Sequence, residues 1–242
     1  VNDRFPPTRP SVVQGVAATD SAVRERALAT LVESYWRPIY TYLRWKWKAT
    51  PEDAEDFTQG FFVTLLERGL VERFDPARAR FRTYLRVCLD GWVSNERKAA
   101  SRRKRGGDVE HRSLDFAAAE GDLARLAIPA DADPDEIFHR EWVRGLFTWA
   151  VDELRAECGR AGRERRFRAF EAYDLDPSPE GRPTYEELAR QLQTSATQVT
   201  NDLHAARRRF REIVLARLRE LTADDEEFDA EARELFGGGG AP

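Results

Sequence analysis

The sequence predicts an all-α protein, two helical domains joined by a flexible acidic linker, and three observations carry that expectation. Almost every ordered-looking segment repeats its apolar residues at the helical period, and no run alternates convincingly as a strand would. Capping signals stand at the heads of several segments, as in Thr50-Pro51 and in Thr184 with Glu187. Charge is also segregated along the chain. Residues 97–105 carry six basic side chains and no acidic one, 207–219 six basic and one acidic, while 108–136 and 220–234 are mostly acidic.

The chain has 242 residues, of which 34% are charged and 41% hydrophobic, with a net charge of -4. That composition is globular and soluble. No apolar run is long enough to span a bilayer and Val1 to Val16 is not a signal segment, so a cytoplasmic protein without a membrane partner is expected. Cys88 and Cys158 lack CxxC spacing and read as small buried apolar residues. His111, His139 and His204 are too scattered to suggest a cluster. Neither a metal nor a cofactor is expected.

The first helical stretch covers 21–48, and Pro38 is expected to interrupt it and begin a second helix, whose "YWRPIYTYLRWKW" offers an aromatic core or contact surface. The next covers 51–68. There Thr50 can cap, Pro51 suits the first position, and Glu52, Asp53, Glu55 and Asp56 lie near the positive end of the macrodipole. Capping explains those acids as helix starters but leaves a pattern over. Ala54, Phe57, Phe61 and Leu65 recur as a buried stripe, while Asp53, Asp56 and Gln59, or Glu52, Glu55 and Gln59, form another face. The stretch 77–104 mixes basic side chains suited to phosphates with Phe81, Tyr84 and Trp92, which can stack on unpaired bases or pack in a core.

Between Gly106 and Asp133 the period fades into an acidic linker, with nine acidic against two basic residues over 108–136. Helical period returns at 134–160, 163–174, 185–192 and 195–221. Thr184 with Glu187 and Ser195 with Gln198 fit the capping box, so two helices start there around a short turn, with Ala189 and Leu192 facing Val199 and Leu203. This is a helix-turn-helix, or else an ordinary helical hairpin, and the basic run at Arg207 to Arg211 favours the first. The domains are thus expected at 20–105 and 134–222, with a linker at 106–133 and an acidic tail at 223–242. In the tail Phe228, Ala232 and Leu235 share a helix face, so it either folds back as a short helix whose carboxylates meet the arginines of 207–219 or serves as an acidic tail that aids solubility.

The order of these parts resembles the sigma factors of bacterial RNA polymerase, in the compact two-domain extracytoplasmic-function group. "DAEDFTQGFF" is similar to the family's second region, "RFRTYLRVCLDGWVSNERKAASRRKR" to the segments that open and read the minus-ten element, and "TYEELARQLQTSATQVTNDLHAARRRF" to the fourth region, which reads the minus-thirty-five element. The resemblance spans about residues 25–215. It implies a non-enzymatic initiation factor whose partners are core RNA polymerase, through the clamp helices of its largest subunit and the flap region of its second-largest, promoter DNA, and a regulator such as an anti-sigma factor.

Carried over by position, the polymerase contacts are Asp53, Glu55, Asp56 and Gln59, with Glu52 as an outer charge. The DNA contacts are Arg80, Arg82, Tyr84, Trp92, Asn95, Arg97, Lys98, Arg102 and Arg103 in the first domain. In the second they are Ser195, Thr197, Gln198, Thr200, Asn201, His204, Arg207 and Arg208. The sequence departs from the pattern at Gly60, where an acidic residue is frequent, at Asp90-Gly91, where many relatives have asparagine, and at Asp202, where a basic residue is frequent. Clustered acids beside basic helices also fit a metal-dependent nuclease, and a helix-turn-helix fits a repressor. The acids lie consecutively on one helix start, which disfavours the first, and a repressor needs no acidic aromatic helix.

Overall fold

The computed structural model describes residues 11–100, 114–123, 128–129, 131–175 and 181–237. Among these every regular element is helical. The residues up to Gly145 and from Arg219 onward form one compact unit, and Leu146–Leu218 form a second.

The first unit opens with α1 (Val12–Val16) and α2 (Ser21–Lys46). α1 lies so close to α2 that a Cβ on Gly15 would stand 2.7 Å from that of Ala27. Asp20 caps α2 by accepting from the backbone N–H groups of Ala22 and Val23. Pro38 does not start a new helix, as expected, but lies inside a continuous α2. A proline there costs about 3 kcal/mol. Tyr35, Ile39 and Tyr42 around it are buried, and burial of each such side chain contributes roughly 1.5–3 kcal/mol, so packing holds the helix together through the break.

α3 (Pro51–Glu67) begins where its caps predict, with the Thr50 hydroxyl accepting from the N–H of Asp53 at 3.1 Å. It buries Ala54, Thr58, Phe61, Phe62 and Leu65, and Phe57 sits at the half-buried margin of that stripe. α4 (Phe81–Ala100) buries Phe81, Leu85, Leu89 and Val93, one residue per turn. Tyr35 meets Phe81 edge-on at 5.8 Å, and Phe74 from the preceding loop meets the same ring at 5.1 Å.

The faded period after Gly106 conceals α5 (Phe116–Leu123). Its Phe116 packs on Trp36 and Tyr40 at 5.4 and 5.1 Å. Glu120 accepts from Tyr40 and Arg44, and Asp122 pairs with Arg37 at 2.9 Å and with Arg144 at 3.2 Å. The Arg44 guanidinium holds the Glu120 carboxyl below the usual carboxylate range, against the opposing effect of burial. The helix owes its place to these partners on α2, which a short run of "FAAAEGDL" does not advertise.

α6 (Pro134–Arg160) starts as its period predicts, yet its first part belongs to the first unit. Phe138 meets Tyr42 at 5.8 Å and Trp142 stacks with Tyr35 at 6.4 Å, so the packing division falls inside α6 and not at the linker. In the second unit α7 (Glu164–Phe170) runs into a π-helical turn (Glu171–Leu175), followed by α8 (Tyr185–Gln191) and α9 (Ala196–Leu221). Ala169, Leu188, Ala189, Val199 and Leu203 form one buried cluster, with Tyr173, Tyr185 and Leu192 against it.

The tail forms α10 (Asp225–Phe236), capped by Asp224. The helix agrees with the spacing of Phe228, Ala232 and Leu235, but its docking differs from the expectation. Of the arginines at 207–219, Arg219 pairs with Asp225 and lies 3.8 Å over the Phe228 ring. Glu227, Glu231 and Glu234 instead face Arg80, Phe81 and Arg82 in the first unit. Sequence distance hid this pairing, because the acids are closest in the chain to a different basic run.

Candidate functional site

Three surfaces carry the residues singled out in the sequence. On α3, Glu52, Asp53 and Asp56 are exposed, while Glu55 and Gln59 are half-buried beside them. The edge is held rigidly from below. Phe57 and Phe61 pack on Trp92 of α4 at 5.9 and 5.8 Å, and a Cβ on Gly60 would come 3.1 Å from the Trp92 ring. A side chain at position 60 would press on the indole, which would have to give by a few tenths of an ångström.

The second surface is the head and outer face of α4. Arg82 is buried, and its Nε donates to Glu231 at 2.7 Å; Arg80 pairs with Glu234 and, at 3.4 Å, with Glu231. The N–H of Phe81 donates to Glu227 at 2.6 Å. Tyr84 donates to the carbonyl of Leu70 at 2.7 Å, and burial, with the Cys88 thiol beside it, pushes its hydroxyl up to about 12. Trp92 is half-buried in its contact with α3. Further along, Asn95, Arg97 and Lys98 are exposed, and Arg97 lies 5.1 Å over the Trp47 ring while donating to the Trp47 carbonyl. Arg102 and Arg103 lie outside the described residues.

Asp90, on the inner side of the same helix, accepts from the Tyr42 hydroxyl at 3.0 Å, the Trp47 indole at 2.8 Å and Arg86 at 2.8 Å. Arg86 is fixed in turn by Asp135. An aspartate at this position thus ties α2, α4 and the start of α6 together.

The third surface is the corner between α8 and α9. Thr184 and Glu187 complete a reciprocal capping box. At the head of α9 the Ser195 hydroxyl accepts from the N–H of Gln198, but the Gln198 side chain turns away to Asp202, so this second box is half made. Gln193 takes the turn at φ +51°, and the N–H of Thr194 donates to the carbonyl of Ala189. Ser195, Thr197, Asn201, His204 and Arg208 are exposed, and the last four follow one another at helical spacing on one face of α9. Thr200 is half-buried and donates to its own helix. Arg207 is held by Asp174 at 2.8 and 3.0 Å and lies over Tyr173. Asp202 faces inward, 4% exposed, and pairs with Arg165 and Arg166 from α7. Its acidic character serves the packing of the corner and leaves the outer face uncharged by it.

Glu227, Glu231, Glu234 and His139 were not singled out with the α4 residues. The only signal was the acidic tail with its apolar stripe. His139 Nε2 lies 3.0 Å from Glu234, and burial together with Arg82 holds its pKa below the usual range. Among the described residues there is no group of three or more His, Cys, Asp or Glu placed to hold a metal. No helix among them is long and apolar enough to cross a membrane.

Residues 31–103, from within α2 to just past α4, match the family model for sigma-70 region 2. That match sets the class: a helical factor of transcription initiation that works with RNA polymerase at promoters. Over that stretch the chain is similar to the sigma-70 family of RNA polymerase sigma factors. No curated protein and no solved structure matches it.

Proposed function

We propose that the protein is a sigma factor of the extracytoplasmic-function group that acts in the cytoplasm. The acidic edge of α3 grips the clamp helices of the polymerase's largest subunit. α4 opens and reads the minus-ten element, and α9 lies in the major groove of the minus-thirty-five element, near the flap of the second-largest subunit. The observation that carries the two-site reading is the face of α9 formed by Thr197, Asn201, His204 and Arg208. It is exposed, polar and basic, and it begins at a capped helix start behind a tight corner. In a helix-turn-helix those are the positions that meet base edges first and phosphates later.

The α3 edge supports the polymerase contact on similar grounds. Its exposed carboxylates, Glu52, Asp53 and Asp56, stand on a helix whose other face is fully packed, so a partner with basic and polar helices can dock without rearranging it. The test is reconstitution. The protein is mixed with core polymerase and a library of random upstream DNA, and transcribed templates are sequenced. Two shared elements separated by a fixed spacer are expected. One element alone, or none above the level of core polymerase, would overturn the two-site reading.

A further inference from the structure

The head of α4 is built to hold anions. Arg80 and Arg82 lie side by side, His139 stands beside them, and the N–H of Phe81, the first residue of a long helix, points the same way. What fills this cradle is α10. Glu227 accepts from the N–H of Phe81 at 2.6 Å and, with its other oxygen, from that of Ala223 at 2.8 Å. Glu231 accepts from Arg82 at 2.7 Å, and Glu234 lies between Arg80, Arg82 and His139. Three carboxylates therefore occupy donors that would also serve phosphate oxygens, since the same groups bind both.

The closure is not an optimised structural staple. Glu231 is 1% exposed, and its Oε2 has no hydrogen-bond partner. Burial, with Glu231 close by, pushes the Glu227 carboxyl above its usual range. An apolar seam would hold a helix here without those penalties, because buried ion pairs are commonly no better than well-packed apolar side chains. Charge on α10 thus matches charge on the cradle beyond what attachment alone requires.

We propose that α10 is a built-in competitor for nucleic-acid phosphates: its Glu227, Glu231 and Glu234 close an anion site formed by Arg80, Arg82 and the head of α4 until a DNA strand displaces them. The proposal rests on the reading of the first unit as a DNA-binding sigma-70 region. In the free protein the cradle is shut and DNA binding is weak. Displacement of α10 frees both guanidinium groups and the N–H of Phe81 together.

The test compares four proteins: the full chain, a form ending at Thr222, the full chain carrying E227Q, E231Q and E234Q, and the shortened form with Arg80→Gln. Each is titrated with a fluorescein-labelled single-stranded DNA of mixed sequence over a range of salt, and each is passed with core polymerase over a sizing column. The shortened form and the triple variant are expected to bind DNA at least about tenfold tighter at low salt. If Arg80 and Arg82 each take one phosphate, the log–log salt slope steepens by about 1.4. Arg80→Gln returns about half of that change in slope. The triple variant keeps the shape of α10 and carries the test where the shortened form does not fold. Equal affinity and slope in the full chain and both opened forms, with polymerase still bound, would overturn the role of α10 alone. A gain that survives Arg80→Gln unchanged would overturn it too, since mere loss of negative charge then explains the tighter binding. Failure of every form to bind DNA and polymerase would overturn the underlying reading as well.

Discussion

Replacing Asp90 by alanine should destabilise the first unit by about 3 kcal/mol, and the sum follows from who loses a partner. Tyr42 is fully buried, and its hydroxyl, 3.0 Å from Asp90, would be left without an acceptor, at a cost of roughly 2 kcal/mol. Trp47 is half-exposed and can turn its indole N–H to water, so its bond accounts for about 1 kcal/mol. Arg86 adds little, because Asp135 still holds it through two hydrogen bonds. Asparagine retains one acceptor oxygen, so Asp90→Asn should cost about half as much. Urea unfolding followed by tryptophan fluorescence is the assay. Trp36, Trp45, Trp47, Trp92 and Trp142 all lie in the first unit and Trp149 alone in the second, so the signal reports on the unit that holds Asp90. A thermal midpoint lowered by about 6–12 °C corresponds to the same loss. Should alanine cost less than 1 kcal/mol while DNA binding falls, Asp90 faces the promoter strand and the structural account is wrong.

Asp53→Ala with Asp56→Ala should leave the helical content unchanged and weaken core polymerase binding at least about tenfold, because loss of charge-assisted contacts at an interface costs about 2 kcal/mol or more; unchanged co-elution refutes this. Gly60→Glu should destabilise by about 0–2 kcal/mol net, because crowding of Trp92 at about 1–3 kcal/mol is partly offset by a gain in helix propensity of about 1 kcal/mol. Thr197→Ala or Asn201→Ala should change the selected minus-thirty-five sequence, whereas Arg208→Ala should weaken binding to all sequences and flatten its salt dependence. Glu141 is 3% exposed, and burial pushes its carboxyl above the usual range. Its folded-state pKa is therefore higher than its unfolded one, and ionisation works against the fold as pH rises past the unfolded value. Glu141→Gln should accordingly raise the thermal midpoint at pH 7, with the gain fading as pH falls; a gain that grows on acidification would contradict the sign.

The local rules proved sufficient wherever a segment's neighbours in sequence were also its partners. Thr50, Pro51 and the acids after them set the start of α3, and the box at Thr184 with the cap at Ser195 set the corner between α8 and α9. Failure came where the deciding partner was distant. Pro38 reads as a break until Tyr35, Ile39 and Tyr42 are known to be buried together. α5 reads as linker until Arg37, Arg44 and Tyr40 are seen to receive it. The three departures from the family pattern have the same character: Gly60 answers to Trp92, Asp90 to Tyr42 and Trp47, and Asp202 to Arg165 and Arg166. The exposed face of α9 was harder to read, since Gln198 and Arg207 look like contacts in sequence while the structure commits them to Asp202 and Asp174.

The first unit is discontinuous in the chain, and this sets an order of events during synthesis. Arg80 and its partner Glu234 are 154 residues apart, with the whole second unit between them. At about 5–20 residues per second, the ribosome releases the cradle roughly 8 to 30 s before the helix that covers it. Throughout that interval a nascent chain presents Arg80, Arg82 and the bare head of α4 to whatever polyanion is near, including the messenger and ribosomal RNA from which it emerges. Closure by α10 ends that exposure only once the intervening helices have been made.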